Sequence, residues 1–133
     1  MPQVEVNIFA VIVATVWTMV LGSLWYSKAL FGNIWMEDSK VEMKKAGAVK
    51  AYLLTAVGAF VLAYVTALFI GLLNVTTIQG GVQTGFWIWL GFVATTSLVH
   101  HVFEGKPIRL YILNAGYHLV ELLVMGAILS AWR

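Results

Sequence analysis

Cysteine is absent from this 133-residue chain, and charged residues are scarce. Without cysteine, the sequence excludes disulfides, thiol catalysis, thiolate metal sites and haem attachment through a Cys pair. Charged residues make up 11% of the chain, whereas soluble domains have about 25%. Hydrophobic residues make up 61%, and the mean hydropathy is +0.88. This composition predicts an integral membrane protein, and the length leaves room for one domain.

Four long apolar runs dominate the sequence. They cover residues 6–26, 51–73, 84–103 and 108–132. Each run forms roughly 30 Å of helix at ~1.5 Å per residue, which is enough to cross a bilayer. The sequence therefore predicts an all-α bundle of four transmembrane helices, arranged as two helical hairpins. The first run follows no basic segment and precedes no small-residue cleavage site, so we interpret it as a retained span.

The basic residues predict the orientation of the spans. Seven of the eight lie in or beside the first loop (residues 27–50) and the third loop, and the second loop is uncharged. By the positive-inside rule, both basic loops face the cytoplasm and both chain termini lie outside. Because these residues border apolar spans, they indicate topology and not nucleic-acid binding. The seven are Lys28, Lys40, Lys44, Lys45, Lys50, Lys106 and Arg109.

The first loop changes character along its length. Its beginning is aromatic and apolar, and its remainder is charged. We interpret it as an interfacial segment followed by a short solvated helix.

Small residues recur at every fourth position in the first two spans. Residues four apart share a helix face, so each series forms a smooth surface against which another backbone can pack closely. These surfaces join span one to span two, or like spans between subunits. The first series is Ala10, Ala14, Thr18 and Gly22, and the second is Thr55, Ala59, Ala63, Ala67 and Gly71.

The last span carries a polar stripe. Asn114, His118 and Glu121 fall within roughly 60° around the helix and so share one face. A carboxylate facing lipid at mid-bilayer costs about 2.5 to 3.5 kcal/mol, whereas one leucine recovers only about 0.3 to 0.6 kcal/mol. The stripe must therefore face protein or water. An antiparallel third span, joined by the short turn, places His100 and Thr96 beside it.

Four roles for the stripe remain open. His118 and Glu121 can satisfy each other as a structural pair, or the stripe can relay protons or line an ion path. A metal held by His118, Glu121 and His100, and a haem or pigment held by a histidine, are the other hypotheses. We expect no metal and no cofactor, because an isolated buried histidine is more often a satisfied structural residue.

The sequence contains no recognisable enzyme signature. No Ser–His–Asp order, Gly-rich phosphate loop or Cys–His pair can be assembled from it. We expect a non-enzymatic packing or assembly scaffold, as a homo-oligomer or as an accessory subunit of a larger membrane complex. Its partners are then the bilayer and other membrane subunits. The alternative is a small transporter or channel with a proton or cation path through the stripe.

Two stretches, residues 21–36 and 101–132, resemble a bacterial membrane family, domain of unknown function 1761. The resemblance implies four spans in a bacterial cytoplasmic (inner) membrane, and the family has no established activity. We interpret the segment around Gly32 as a re-entrant or interfacial turn in which glycine supplies a backbone conformation that other residues avoid. The first motif matches Trp25, Tyr26, Ser27, Phe31, Gly32 and Trp35, and the second matches Asn114, Ala115, Gly116 and Tyr117.

Overall fold

The structure, a computed structural model, describes residues 4–27, 29–39 and 45–133. Lys28, Lys40 and Lys44, and the middle of the expected solvated helix, lie outside these ranges. Within them the chain is helical and has no strand. The helices are α1 (Ile8–Trp25), α2 (Gly32–Ser39), α3 (Lys45–Leu72), α4 (Ile78–Ile88), a π-helical segment (Trp89–Ala94), α5 (Thr95–Glu104) and α6 (Ile108–Ala131).

The predicted all-α bundle of four membrane-spanning helices is confirmed. Four stretches in the described part of the chain are long and apolar enough to cross a membrane. The third combines α4, the π-helical segment and α5. The four stretches are Ile8–Trp25, Val49–Leu72, Ile78–Glu104 and Ile108–Ala131.

The two ends of the bundle differ. The Asn7 side chain donates a hydrogen bond to the Trp132 carbonyl oxygen (3.3 Å), and Arg133 donates one to that of Val75 (2.8 Å). The start of α1, the α3–α4 connection and the end of α6 therefore meet at one end, which we call the terminal end. The opposite end carries α2 and the turn at Gly105, and we call it the basic end.

Helix α6 is the centre of the bundle, because α1, α3 and α4 all pack against it. Leu122 and Met125 of α6 are fully buried. Their cluster fills the half of the bundle toward the terminal end. It also contains Ala10, Val11, Ala14, Ala63, Ile70 and Leu129.

Both small-residue series lie largely inside the subunit. In α1, Ala10, Ala14 and Thr18 are buried, and a Cβ on Gly22 would lie 3.3 Å from the Tyr117 hydroxyl oxygen. In α3 the series is less uniform. Ala59 and Ala63 are buried, Ala67 and Gly71 are half-buried, and Thr55 is exposed.

Helix α4 begins six residues before the expected start of the third span. Thr77 caps it, because its hydroxyl accepts a hydrogen bond from the Gly80 backbone N–H (3.0 Å). Gly85 then brings α4 against α6, and a Cβ on it would lie 2.2 Å from the Leu122 carbonyl oxygen. A Cβ on Gly126 would lie 2.1 Å from the Gly81 carbonyl oxygen. This glycine-rich segment is helical because backbone-to-backbone packing on α6 requires it.

The glycine contact also sets the register of the third span on α6. The Trp89 indole N–H donates to the Ala115 carbonyl oxygen (2.8 Å), and the Tyr111 hydroxyl donates to that of Ala94 (2.8 Å). The expected register, which placed His100 level with Asn114, is therefore displaced by about two helical turns. The π-helical segment follows this contact, and α5 beyond it buries none of its residues.

Candidate functional site

The two family motifs meet at the basic end although they are far apart in sequence. The Tyr26 hydroxyl donates a hydrogen bond to the Asn114 side-chain oxygen (2.7 Å). The Trp25 indole N–H donates to the Leu113 carbonyl oxygen (3.1 Å). The Trp25 ring also lies against Gly116, where a Cβ would be 3.4 Å from its Cζ2 atom. The end of α1 is therefore attached to the first half of α6.

A tight turn follows Trp25 and leads into α2. The Phe31 N–H donates to the Trp25 carbonyl oxygen (3.0 Å), and the Gly32 N–H donates to that of Ser27 (2.8 Å). A Cβ on Gly32 would lie 2.5 Å from the Tyr26 carbonyl oxygen. Gly32 is thus required for space. The prediction that it supplies a special backbone conformation is wrong, because among the described glycines only Gly105 has a positive φ, of 68°.

Aromatic rings fill the junction. Trp25 and Phe31 have centroids 4.8 Å apart, and Tyr26 lies 5.4 Å from Tyr117 and 5.6 Å from Trp35. Tilted and edge-on pairs of this kind are favourable beyond the area they bury. The rings hold α2 beside the end of α1 and the first half of α6.

An ion pair attaches α2 to the start of α6. The Arg109 Nε and Nη2 atoms donate to the two carboxylate oxygens of Asp38, at 2.8 and 2.6 Å. The Glu37 carboxylate lies farther from Arg109, at 3.9 Å. The hydrogen bonds from the guanidinium lower the pKa of Asp38 below its ordinary value, so the pair is ionised at neutral pH.

A cleft of about 620 Å³ opens next to this junction. His118 lies ten residues into α6, so at ~1.5 Å per residue the cleft reaches about 15 Å from the start of that helix, or half of a ~30 Å hydrocarbon layer. Helices α1, α2, α3, α5 and α6 contribute to its wall. Its lining residues are Thr18, Met19, Gly22, Ser23, Tyr26, Trp35, Ala51, Tyr52, Thr55, Ser97, His101, Asn114, Tyr117 and His118.

An acid–base pair lies at the deep end of the cleft. The His118 Nδ1 atom is 3.0 Å from the Glu121 Oε1 atom. The Glu121 side chain is only 3% exposed, whereas the His118 side chain is 40% exposed. The carboxylate also lies close enough to interact with the hydroxyl groups of Tyr117 and Tyr26. The His118 ring therefore faces the cleft on one side and contacts the buried Glu121 carboxyl group on the other.

The cleft offers several hydrogen-bond acceptors. A carbonyl oxygen only accepts, so the His101 Nδ1 atom, 3.0 Å from the Ser97 carbonyl oxygen, carries the proton of the neutral ring. Its Nε2 atom is then an acceptor. The same reasoning applies to His118, whose Nδ1 atom faces an acid that accepts when ionised. Each neutral imidazole thus keeps an unused acceptor nitrogen.

Thr18 adds an unusual hydroxyl. Its residue is 2% exposed, and its Oγ1 atom has no hydrogen-bond partner among the described residues. Its backbone carbonyl oxygen already accepts from the Tyr117 hydroxyl (3.2 Å). Other helical threonines donate to a carbonyl of the preceding turn: Thr15, Thr55, Thr66, Thr84, Thr95 and Thr96.

A known protein family matches almost the whole chain, including the residues that form the cleft. The family described as "Protein of unknown function (DUF1761)" matches residues 9–130. The chain belongs to this family. The comparisons with curated proteins and with solved structures gave no match. In this DUF1761 protein, the motif that begins at Trp25 and the motif that begins at Asn114 both lie within the matched range. They contact each other beside the cleft.

The predicted stripe of the DUF1761 protein is only partly assembled. Asn114 and His118 line the cleft, and Glu121 lies behind His118. The expected neighbours His100 and Thr96 do not join them, because both are exposed and neither lines the cleft. The register displacement explains the difference. Among the described residues, no group of three potential metal ligands is close enough to hold an ion.

Sequence reasoning missed two parts of this site. His101 lines the cleft and His100 does not; adjacent helical residues point about 100° apart, so the rotation of the helix decides which one enters. Thr18 was assigned to the packing series alone. A sequence signal existed for the glycine contact, since Gly81 and Gly85 are spaced as in close-packed membrane helices.

Proposed function

We propose that this DUF1761 protein is a small non-enzymatic membrane transporter that binds its ligand in the cleft at the basic end. The observation that carries the proposal is a cleft that ends halfway through the bundle at the His118–Glu121 pair. Placing an ionisable residue inside a membrane span costs free energy, so the presence of His118 and Glu121 there favours a functional site. Cavities of about 300–1,000 Å³ are typical of sites for small organic molecules.

The closed half of the bundle favours a transporter over a channel. Toward the terminal end, Leu122, Met125 and Ile70 fill the interior, and each is at most 1% exposed. A site open to one side and closed to the other is the arrangement of one access state of a transporter. A channel requires a route past this cluster.

The orientation forms part of the proposal. By the positive-inside rule, we propose that the cleft mouth faces the cytoplasm of a bacterium and that both termini lie outside its inner membrane. The ligand then enters or leaves on the cytoplasmic side.

Thiol labelling tests access to the cleft, since the chain has no native cysteine. Ser97→Cys lies on the cleft wall and should react with a membrane-impermeant thiosulfonate reagent applied from the basic end. Thr66→Cys is the matched control, because Thr66 is fully buried and should stay unreactive. Equal protection of both positions would mean that the cleft is filled, and would count against the proposal.

Proton flux tests the acid–base pair. Wild-type protein in liposomes that contain a pH-sensitive dye should dissipate a pH gradient only when a small organic solute is present on one side, because the closed half blocks free proton flow, and Glu121→Gln should not. The particle size in detergent should be the same for both. Loss of assembly or thermal stability with no change in flux would instead support a structural role for the pair.

An assembly scaffold is the second candidate function. Within the third span only 6% of the residues in the most apolar window are buried, compared with 44% in the last span. Gly91 lies on this exposed helix with no atom within 4 Å of where a Cβ would be. This surface is available to a second copy or to another membrane subunit. Gly91→Leu should then reduce the particle mass in mild detergent, which light scattering measures.

A further inference from the structure

We infer that the ligand of the cleft is an organic ammonium ion, a cation that carries N–H donors on an apolar body. The inference rests on the proposed function, because it names the chemical class that the same cleft binds. Three features carry it: the hydrogen-bonding polarity of the wall, the charge at its deep end, and the size and aromatic character of the cavity.

The wall of the cleft is rich in acceptors. The Nε2 atoms of neutral His101 and His118 are free to accept, because the Nδ1 atom of each ring is occupied. The buried Oγ1 atom of Thr18 has lone pairs and no partner among the described residues. An unsatisfied buried hydroxyl costs about 1–3 kcal/mol, and a ligand donor can recover this energy. A ligand with N–H donors therefore finds partners on the wall.

The charge at the deep end favours a cation. Glu121 is the only acidic residue in the interior of an apolar span. An ionised Glu121 beside a neutral His118 gives the pair a charge of −1. The described residues that line the cleft include neither lysine nor arginine. Because field strength rises in a low-dielectric site, even one uncompensated carboxylate selects strongly for a positive ligand.

The cavity is too large for a bare ion and is lined by rings. A dehydrated metal ion needs ligands within about 2.0–2.6 Å, whereas this cavity holds about 620 Å³. Its aromatic lining residues are Tyr26, Trp35, Tyr52 and Tyr117, which can contact the apolar body and the positive charge.

Three probes of nearly equal shape test the inference. They are 2-naphthylmethylammonium, the neutral 2-naphthylmethanol and the anionic 2-naphthylacetate. Equilibrium dialysis against full-length protein in detergent, with protein-free micelles subtracted, gives the affinities. The ammonium should bind at least about tenfold more tightly than the alcohol, and the carboxylate should bind more weakly still.

Matched variants assign the binding to the cleft. Glu121→Gln should weaken ammonium binding about tenfold or more and leave the alcohol unaffected. Glu104→Gln is the control, because it removes an exposed carboxylate at the end of α5. Thr18→Val guards against misfolding of the Glu121 variant. It removes a hydroxyl that makes no hydrogen bond to the described protein, so it should keep or raise the thermal stability and lose about fivefold in ammonium affinity.

The outcomes separate this inference from the proposed function. Ammonium binding that is absent, no tighter than alcohol binding, or insensitive to both Glu121→Gln and Thr18→Val would overturn the inference. If the alcohol or carboxylate then protects Ser97→Cys from labelling, the cleft is still a binding site. If Ser97→Cys is unreactive even without a probe, the proposed function itself fails.

Discussion

Asn114 connects two distant parts of the chain through one hydrogen bond. The Tyr26 hydroxyl that donates to it belongs to the turn that follows α1, and Asn114 belongs to the first half of α6. Neighbouring side chains also form defined pairs, as in His118–Glu121 and Arg109–Asp38. Single substitutions at these pairs therefore change defined interactions.

The Tyr26–Asn114 hydrogen bond predicts unequal effects of removing its two members. Asn114→Ala leaves a half-buried hydroxyl without an acceptor and should cost about 1–3 kcal/mol. Tyr26→Phe removes the donor only and should cost about 0.5–1.5 kcal/mol. Unfolding in detergent measures both changes. Tyr64→Phe, on a ring that faces outward from α3, should have no effect, and equal losses at Tyr26 and Tyr64 would contradict the prediction.

At the scale of helices, contacts between elements decide the shape of the site. Gly81 and Gly85 bring α4 against α6, and the third span is held there while α5 stays largely uncovered. At the other side of the cleft, α2 is attached to α6 through Asp38 and to α1 through Trp35. The cleft is bordered by α5, which follows the tightly packed α4 and the π-helical segment, and by the short attached helix α2.

Gly85 predicts a large effect from a single methyl group. Gly85→Ala would place a Cβ 2.2 Å from the Leu122 carbonyl oxygen, so α4 must shift away from α6. Such overpacking should destabilise the bundle by about 1–3 kcal/mol. The control is Gly58→Ala on α3, where nothing lies within 4 Å and stability should be unchanged or rise by up to about 1 kcal/mol. Similar thermal midpoints for the two variants would contradict the close contact.

The Asp38–Arg109 pair predicts how the position of α2 depends on pH. Because the pKa of Asp38 is lower in the folded protein, the pair stabilises the attached state at neutral pH, and this contribution is lost as the pH falls through the lowered value. A spin label at Met36→Cys should be immobile down to about pH 3.8 and gain mobility only below it.

The same label gives a mutational control. Asp38→Asn should mobilise it at neutral pH, whereas Glu37→Gln should have little effect, since Glu37 is exposed and farther from Arg109. Label mobility that rises already near neutral pH in the wild type would contradict the assignment to Asp38.

The whole molecule is an antiparallel bundle organised around its last helix. α6 contacts each of the other three spans, and its window is the most buried of the four. The start of α1 and the end of α6 lie at the terminal end, and the cleft opens at the other. The side of the membrane on which the cleft opens therefore depends on which end faces the cytoplasm.

The orientation can be tested in intact cells. Glu5→Cys, near the start of α1, should react with an impermeant maleimide added outside, because the positive-inside rule predicts both termini outside. Glu104→Cys, beside the turn at Gly105, should react only after the membrane is opened. If Glu104→Cys is labelled in intact cells, the topology is the opposite of the predicted one and the cleft mouth faces outside.

Several features of the fold could be predicted from local sequence. Long apolar runs require helices, since only a helix satisfies its own backbone in hydrocarbon. The start of α4 could not be predicted in this way, because IQGGVQ has loop-like composition and is helical only through its contact with α6. The choice between His100 and His101 also escaped prediction, since it depends on the register that this contact and the π-helical segment set.

The amino-acid sequence by itself determined that the chain enters the membrane, how many times it can cross, and that Glu121 must avoid lipid. These properties follow from hydropathy and desolvation, which act residue by residue. Only the tertiary structure decided which polar groups come together. The partners of Trp25, Tyr26 and Thr18 lie roughly 90 to 100 residues away, and they meet because glycine contacts and an ion pair fix how the helices cross.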